Sequence, residues 1–265
     1  MTVGLMSGKR GLIMGVANDH SIAWGIAQAL AAQGAELAFT YQGEAFGKRV
    51  EPLAASVGSN ILLPCDVEDI STVDAVFAAL KEKWGKIDFL VHAIAFSDKN
   101  ELKGKFADTT RENFTKTMVI SCFSFVEIAK RAAALMPDGG SIITLTYGGS
   151  TRVMPNYNVM GVAKAALESA VRYLAGDYGP QGIRVNAISA GPMRTLAGAG
   201  IGDARAMFNY QAAHAPLRRT ITLEEVGGAG LYLLSPLSSG VTGEIHYVDS
   251  GYNIISMPRP EDIRL

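Results

Sequence analysis

Short runs of aliphatic and β-branched residues recur along the chain, and the segments between them carry apolar residues at three- to four-residue spacing. Unbroken or alternating apolar runs read as strands, and the 3.6-residue period reads as helices packed by one face. The pattern predicts strands near 10–16 (RGLIMGV), 35–41 (AELAFTY), 60–65 (NILLPC), 87–94 (IDFLVHAI), 140–146 (GSIITLT), 183–188 (IRVNAI) and 244–249 (EIHYVD), with helices between them. Thr109 with Glu112 and Thr222 with Glu225 have capping-box spacing, and Gly34 and Gly85 follow helical stretches where a left-handed residue is wanted. Alternation without a break predicts the α/β class: a doubly wound parallel sheet of about seven strands with helices on both faces. Ligands of such sheets bind beyond the carboxyl ends of the strands, so the residues just after each strand are the ones to read for chemistry.

Composition narrows the field. Hydrophobic residues make up 48% of the 265 and charged residues 18%, which suits one large core and a single domain over residues 1–265. The net charge is −1, so there is no electrostatic footprint for nucleic acid or an anionic membrane, and the expected partner is a small molecule or a protein. Cys65 and Cys122 have neither Cys-x-x-Cys spacing nor a His cluster nearby and read as buried free thiols. GLIMGVA is too short, and too soon followed by NDH, for a signal-peptide core, and the charge-free run Val226–Gly243 is broken by Gly, Ser, Thr and Pro, so no membrane span is expected. A reducing cytoplasm is the expected location.

The first strand is followed by GVANDHSIAWG, which lacks the G-x-G-x-x-G of the commonest dinucleotide-binding turn. Gly15 nevertheless closes the strand, and Ser21, Ile22 and Ala23 follow where a helix begins. With Ser as the helix cap and Ala as the small residue, a longer loop of this kind still lets a pyrophosphate approach the exposed N–H groups and the positive end of the helix dipole. An ordinary strand-to-helix loop accounts for the same residues. After the second strand, FTYQGEAFGKR offers no acidic residue for an adenine ribose, but Gln42 can hydrogen-bond there while neutral. Lys48 and Arg49 lie a helical turn or more further on and read as an exposed helix face rather than a 2′-phosphate site, which favours NADH over NADPH. CDVED places Asp66, with Val67, where a carboxylate can accept from an adenine amino group, and HAIAF supplies the small Ala93 and Ala95; plain turns and close-packed strand ends are the rival explanations. His92 reads as a histidine packed against the sheet, and His20, His214 and His246 form no ligand spacing with it, so no metal site is expected.

The fifth strand leads into LTYGGSTRVMPNYNVMGVAK, with Tyr147 and Tyr157 in a neutral, glycine-containing loop ahead of a helix that carries Lys164. Seven residues make nearly two helical turns and about 10.5 Å of rise, so Tyr157 and Lys164 are expected to project from one side. Coincidence is the simpler account of such a pair, but its place beyond a central strand favours chemistry. A phenol of pKa about 10 is a sluggish acid-base group at neutral pH, and a nearby cation is expected to bring that value down. The same Lys can hold ribose hydroxyls.

These residues stand in order with GVANDHSIAWG, FTYQGE, CDV, HAIAF, YGGSTRVMPNYNVMGVAKAALE, GIRVNAISAGPMRTLA, PLRRTITLEEVG and TGEIHYVDSGY, which together cover nearly the whole chain. The set resembles the short-chain dehydrogenase/reductase superfamily and, within it, the bacterial NADH-dependent enoyl-[acyl-carrier-protein] reductases. The superfamily usually spaces its pair as Tyr-x-x-x-Lys; here Met160 stands four before Lys164 and the phenol is one turn earlier, as in the enoyl reductases. The resemblance implies a Rossmann-type fold, an NADH cofactor, a trans-2-enoyl thioester on acyl carrier protein as substrate, a homotetramer, and the last step of the fatty-acid elongation cycle. It implies that Tyr157 donates to the enolate, that Tyr147 is a second phenol in the pocket, and that Lys164 holds the ribose. Gly15, Ser21 and Ile22 would line the pyrophosphate, Gln42 the adenosine ribose, and Asp66 with Val67 the adenine. Ile94, Met193, Thr195 and Ala197 would complete the cofactor site, while Ser97 and Met207 would join the two tyrosines on the substrate. Many members have Gly where Ala95 stands.

The longer spacing has a chemical reason. In carbonyl reduction the hydride enters the carbon whose oxygen needs the proton, whereas in conjugate reduction it enters C3 and negative charge appears on the thioester oxygen. One extra helical turn moves the phenol by about 5.4 Å, toward that oxygen if the substrate lies along the helix. Carbonyl-reducing relatives relay protons through an Asn in the fourth helix, where only Ser121 is found here, which counts against a ketoreductase. A nucleotide sensor without turnover is the alternative from another class, and retention of Tyr157 and Lys164 speaks against it. Residues 195–215, TLAGAGIGDARAMFNYQAAHA, are too weakly patterned for a core helix and read as a flexible substrate-binding lid. Arg205, Arg218 and Arg219 are candidates to meet an acidic carrier protein, with solvated surface charge as the simpler reading.

Overall fold

The computed structural model describes residues 4–193, 204–257 and 259. Seven strands, β1 (Arg10–Met14), β2 (Glu36–Tyr41), β3 (Ile61–Pro64), β4 (Phe89–His92), β5 (Gly140–Thr146), β6 (Ile183–Ala190) and β7 (Ile245–Val248), form one sheet in the order β3-β2-β1-β4-β5-β6-β7. Every pairing is parallel. Each strand lies within two residues of its expected bounds at either end; in the inner strands the aliphatic runs are buried on both faces, which leaves little ambiguity about where a parallel strand must be, while the edge strands β3 and β7 are only partly buried.

The helices are α1 (Ile22–Ala32), α2 (Gly43–Ser56), α3 (Ile70–Trp84), α4 (Arg111–Met118), α5 (Ser124–Ala134), α6 (Asn158–Tyr178), α7 (Ala204–His214) and α8 (Leu223–Leu234). Alternation along the strands divides the core in two. Leu12 and Met14 face a cluster completed by α3, α5 and α6, while Ile13 between them faces a cluster completed by α1, α2 and α8. The strand order reverses at β1, so the crevice that opens beyond the carboxyl ends of β1 and β4 is the expected ligand site.

Local signals hold with two exceptions. The capping box of Thr222 and Glu225 is present, and Gly34 and Gly85 take φ of 88° and 74° after their helices. The cap of α4, however, is Thr110 rather than Thr109: the Thr110 hydroxyl accepts from the Asn113 N–H at 3.2 Å, and Thr110 N–H is taken by Glu101 at 2.9 Å. A carboxylate from an earlier loop supplies the reciprocal bond that spacing had given to Glu112. The second departure is α7, a helix over the latter half of the segment read as a weakly patterned lid; it buries Gln211 against the sheet end at Gly191. Residues 195–203 of that segment lie outside the described residues.

Candidate active site

The carboxyl ends of β1, β2 and β3 gather the expected nucleotide residues. Gly15 follows β1 with φ 99°, and a Cβ there would stand 2.1 Å from the Ala93 carbonyl oxygen. Only glycine lets these two strand ends close on each other at the switch in strand order. Ser21 occupies the N-cap of α1 without capping it: its hydroxyl accepts instead from the Ala17 and Asn18 N–H groups, at 3.0 and 3.1 Å. The hydroxyl folds the loop back on itself, and it makes no capping bond to the amino end of α1. A helix start left open in this way suits an anion. Gln42 and Asp66, on separate strand ends, meet through Nε2 and Oδ2 at 3.0 Å, and the other Asp66 oxygen accepts from the Glu68 N–H at 3.0 Å. The glycine cradle, the open helix start and this polar pair fit a dinucleotide. Val67 and Ile94 are half-buried against the α3 side of the core, and Ile22 and Met193 against the α1 side. Lys48 and Arg49 are exposed, with the Arg49 guanidinium over the Phe46 ring at 5.8 Å. Thr195 and Ala197 lie outside the described residues.

Beyond β5 and β4 lie the candidate reacting groups. Tyr147 directly follows β5, and its ring meets that of Tyr157 edge to face, with centroids 5.2 Å apart and planes at 76°. The loop can lie so close because Gly149 has no side chain; a Cβ there would be 2.5 Å from the Tyr157 ring. Tyr157 does not belong to α6 proper. It stands at the N-cap, between Asn156 and Asn158 with φ of 58° and 30°. Asn tolerates this left-handed region better than most residues. The Asn158 amide reaches the carbonyl oxygens of Glu101, Lys103 and Gly104, each at 3.3 Å, and so fixes the turn. The placement of the phenol is therefore set by that turn and not by helical periodicity alone.

Lys164 lies on the buried face of α6, 7% exposed, and its ammonium donates to the Leu145 carbonyl at 2.7 Å. Burial brings its pKa down to about 8. The expected depression of the Tyr157 pKa by Lys164 is not found. Enclosure, and then the neighbouring Tyr147 and Glu168, push the Tyr157 phenol above the ordinary value, and burial pushes Tyr147 up to about 12. Loss of hydration outweighs a cation that is committed to a backbone carbonyl. Both phenols are neutral hydrogen-bond donors at physiological pH.

Tyr147 forms part of the wall of a cavity of about 230 Å³, together with Arg152, Gln211, Asp249, Tyr252 and the end of β6 at Ser189–Gly191. Tyr157 lies behind it, packed with Val159, Met160 and Leu102. Met207 and Phe208, on α7, are half-buried. Ser97 is engaged elsewhere, its hydroxyl bonded to Thr117 at 2.9 Å and to Asn113 at 3.2 Å. Ser121 sits in a π-helical turn, Val119–Phe123, where its hydroxyl accepts from the Phe96 N–H at 3.0 Å and donates to the Phe96 carbonyl at 3.1 Å. It therefore pins the loop after β4. His92 is fully buried between Thr144 and Ser124, at 3.1 and 3.0 Å, and its pKa falls to about 3 because burial excludes the charged form. Cys65 and Cys122 are free and buried.

The family model described as enoyl-(acyl carrier protein) reductase matches residues 15–253. The chain belongs to the enoyl-(acyl carrier protein) reductase family. A relative from Rhizobium meliloti, "Enoyl-[acyl-carrier-protein] reductase [NADH] 2", is 77% identical over 262 residues, 99% of this chain and 98% of its own length. The crystal structure of FabI from Candidatus Liberibacter asiaticus superposes with a TM-score of 0.95 at 61% identity, covering 97% of this chain and all of that one. An Anaplasma phagocytophilum enoyl-(acyl-carrier-protein) reductase solved in complex with NAD gives 0.94 at 58% identity, over 97% of this chain and 98% of the other.

In this enoyl reductase the sequence reading missed Glu168. It is 5% exposed, and its Oε1 accepts from the Thr146 hydroxyl at 2.7 Å. A signal was there: the apolar stripe of α6 runs through 159/160, 163/164 and 167/168, so a carboxylate at 168 occupies a core position four residues from the lysine. Gln211 and Asp249, which line the cavity with Tyr147, carried no sequence signal, because distant segments bring them to the site.

Proposed function

We propose that this chain reduces the C2–C3 double bond of a trans-2-enoyl thioester on acyl carrier protein with NADH, as an enoyl reductase, and that Tyr157 donates the hydrogen bond that stabilises the enolate. The observation that carries the reading is an enclosed, neutral phenol, edge-on to a second neutral phenol and followed by a buried lysine. Conjugate reduction puts negative charge on the thioester oxygen, which calls for a fixed donor there and no general base. A phenol that stays protonated supplies it at any physiological pH.

NADH, when bound, would supply hydride for C3. Gly15, Ser21 and Ile22 would hold the phosphates, Gln42 and Asp66 the adenosine end, and Lys164 the nicotinamide ribose, with Val67, Ile94 and Met193 as apolar neighbours. Tyr147 lines the cavity and its ring packs edge-on against Tyr157, so it shields one side of the second phenol, and its own hydroxyl would offer the substrate another donor. Met207 on α7 would meet the acyl chain.

The cytoplasmic location rests on the expected role in lipid synthesis; among the described residues no helix is long and apolar enough to cross a membrane. The homotetramer is what the family resemblance implies; Phe106 in the turn before α4, Phe114 on α4, Phe123 after it and Tyr173 on α6 are exposed and would suit contacts between copies of the chain. Of the arginines considered for the carrier, Arg219 is paired with Glu225 at 2.5 Å and Arg218 donates to the Ala213 carbonyl. Arg205 is exposed on α7.

The test follows NADH absorbance with a crotonyl thioester and, separately, an acetoacetyl thioester. Only the first is expected to be consumed; turnover of the second alone overturns the reading in favour of a carbonyl reductase, and tight NADH binding with neither consumed favours a sensor. Tyr157→Phe is expected to lower kcat by about a hundredfold or more while NADH binding stays, as for loss of one oxyanion donor. Wild-type turnover in that variant removes Tyr157 from the mechanism.

A further inference from the structure

The buried carboxylate of Glu168 is left unused by the reaction as described, and its surroundings give it a task. It follows Lys164 by one helical turn on the inward face of α6, on the same side of the helix but not in a direct ion pair, since the ammonium donates to Leu145 and the carboxylate accepts from Thr146. Both side chains are almost fully enclosed. The Thr146 hydroxyl, donating to Oε1 at 2.7 Å, fixes the carboxylate, and Thr146 is the last residue of β5, immediately before Tyr147. Glu168 thus joins the strand that carries one phenol to the helix that carries the lysine and follows the other phenol.

We propose that Glu168 is a positioning residue of the enoyl reductase site, the internal counter-charge that keeps Lys164 protonated for the cofactor ribose while holding the end of β5 against α6. This rests on the assignment of Lys164 to the ribose made above. Among the described residues, the titratable groups that face Lys164 are His92 from β4, Cys122 from the π-helical turn and Glu168 on its own helix. Burial holds the imidazole and the thiol in their neutral forms at neutral pH. Cys122 and then Glu168 act to raise the Lys164 pKa, and with the thiol neutral the standing negative charge is that of Glu168. It acts against the desolvation that brings Lys164 down to about 8, and the same negative charge helps keep the Tyr157 phenol protonated. One buried carboxylate preserves the cation and the neutral donor together.

The experiment measures the NADH dissociation constant by fluorescence from pH 6 to pH 10 in the wild type, Glu168→Gln and Glu168→Asp. NADH affinity is expected to fall at alkaline pH as Lys164 loses its proton. Gln keeps an oxygen for the Thr146 hydroxyl but not the charge, so its alkaline limb is expected to move to lower pH by about one unit, the scale of one neighbouring charge in a protein interior. Asp keeps the charge and is expected to leave the limb near the wild-type position. A purely structural role predicts weaker binding at every pH with the limb unmoved. A Gln limb at the wild-type position overturns the proposal, as does an Asp limb displaced as far as that of Gln; if the Gln protein does not fold, Glu168→Met, which also removes the charge, is read in its place with the same two outcomes. Because the readout is binding, it stands apart from the thioester assay. Failure there, with the limb shift intact, would remove the proposed substrate and leave the Glu168–Lys164 coupling in place.

Discussion

Replacing Lys164 by Met should make the protein more stable and the site inoperative, and the size of the gain follows from the lysine's surroundings. Its pKa falls from 10.5 to about 8 on burial, and that figure already contains the attraction of Glu168. At about 1.4 kcal/mol per tenfold change in proton affinity, holding the cation inside costs about 3 kcal/mol at pH 7. Met fills similar volume without charge but leaves the Leu145 carbonyl without the ammonium that now donates at 2.7 Å, a loss of about 1–2 kcal/mol. The net gain is about 1–2 kcal/mol, or a thermal midpoint higher by about 3–5 °C. The sign with pH is fixed by linkage. Between pH 8 and 10.5 the unfolded lysine still binds its proton while the folded one does not, so wild-type stability rises through that window. The advantage of the variant is therefore full below pH 8 and gone by pH 10.5, where the lost carbonyl contact leaves it the less stable protein. Thermal melts at fixed protein concentration at pH 7 and pH 10, with NADH affinity measured alongside, test this. A variant destabilised equally at both pH values would refute the reasoning.

Other consequences are as direct. Gly149→Ala places a methyl 2.5 Å from the Tyr157 ring and should cost about 1–3 kcal/mol of stability together with a loss of turnover; wild-type kcat would show that the position of the Tyr157 ring does not matter. Gly15→Ala adds a Cβ at φ 99° and 2.1 Å from the Ala93 carbonyl, so the β1–β4 crevice must open, and NADH affinity is expected to fall by about tenfold or more; unchanged affinity in titrations would place the phosphates elsewhere. His92 has a folded pKa of about 3 against 6.5 for the free side chain, so stability should decline as pH falls from 6.5 toward 3, by up to about 5 kcal/mol in all. His92→Gln should flatten that decline in acid denaturation curves, and identical slopes would contradict the assignment.

Much of this protein is legible in its sequence. The seven strands, their parallel sense and the helices between them followed from apolar runs and period, because burial on two faces of a sheet imposes a pattern that local sequence must satisfy. Gly15, Gln42, Asp66, Tyr147, Tyr157 and Lys164 could be singled out because the fold class says where ligands bind, and strand ends are countable along the chain. The satisfied, buried His92 was also readable, since nothing near it in sequence could share a metal.

Tertiary structure alone decided the states of those groups. Sequence proximity suggested that Lys164 would acidify the phenol, yet enclosure raises the Tyr157 pKa, because desolvation depends on everything packed around a group and not on one neighbour. The turn that aims Tyr157 depends on left-handed asparagines anchored to a loop more than fifty residues away. The cap of α4 moved by one residue because Glu101, from outside the helix, completes it. Glu168 became visible as a partner only when Thr146 was seen to hold it. Spacing along one chain fixes which groups share a face; which of them lose their water, and to whom they then bind, is settled by segments that meet only when the chain has folded.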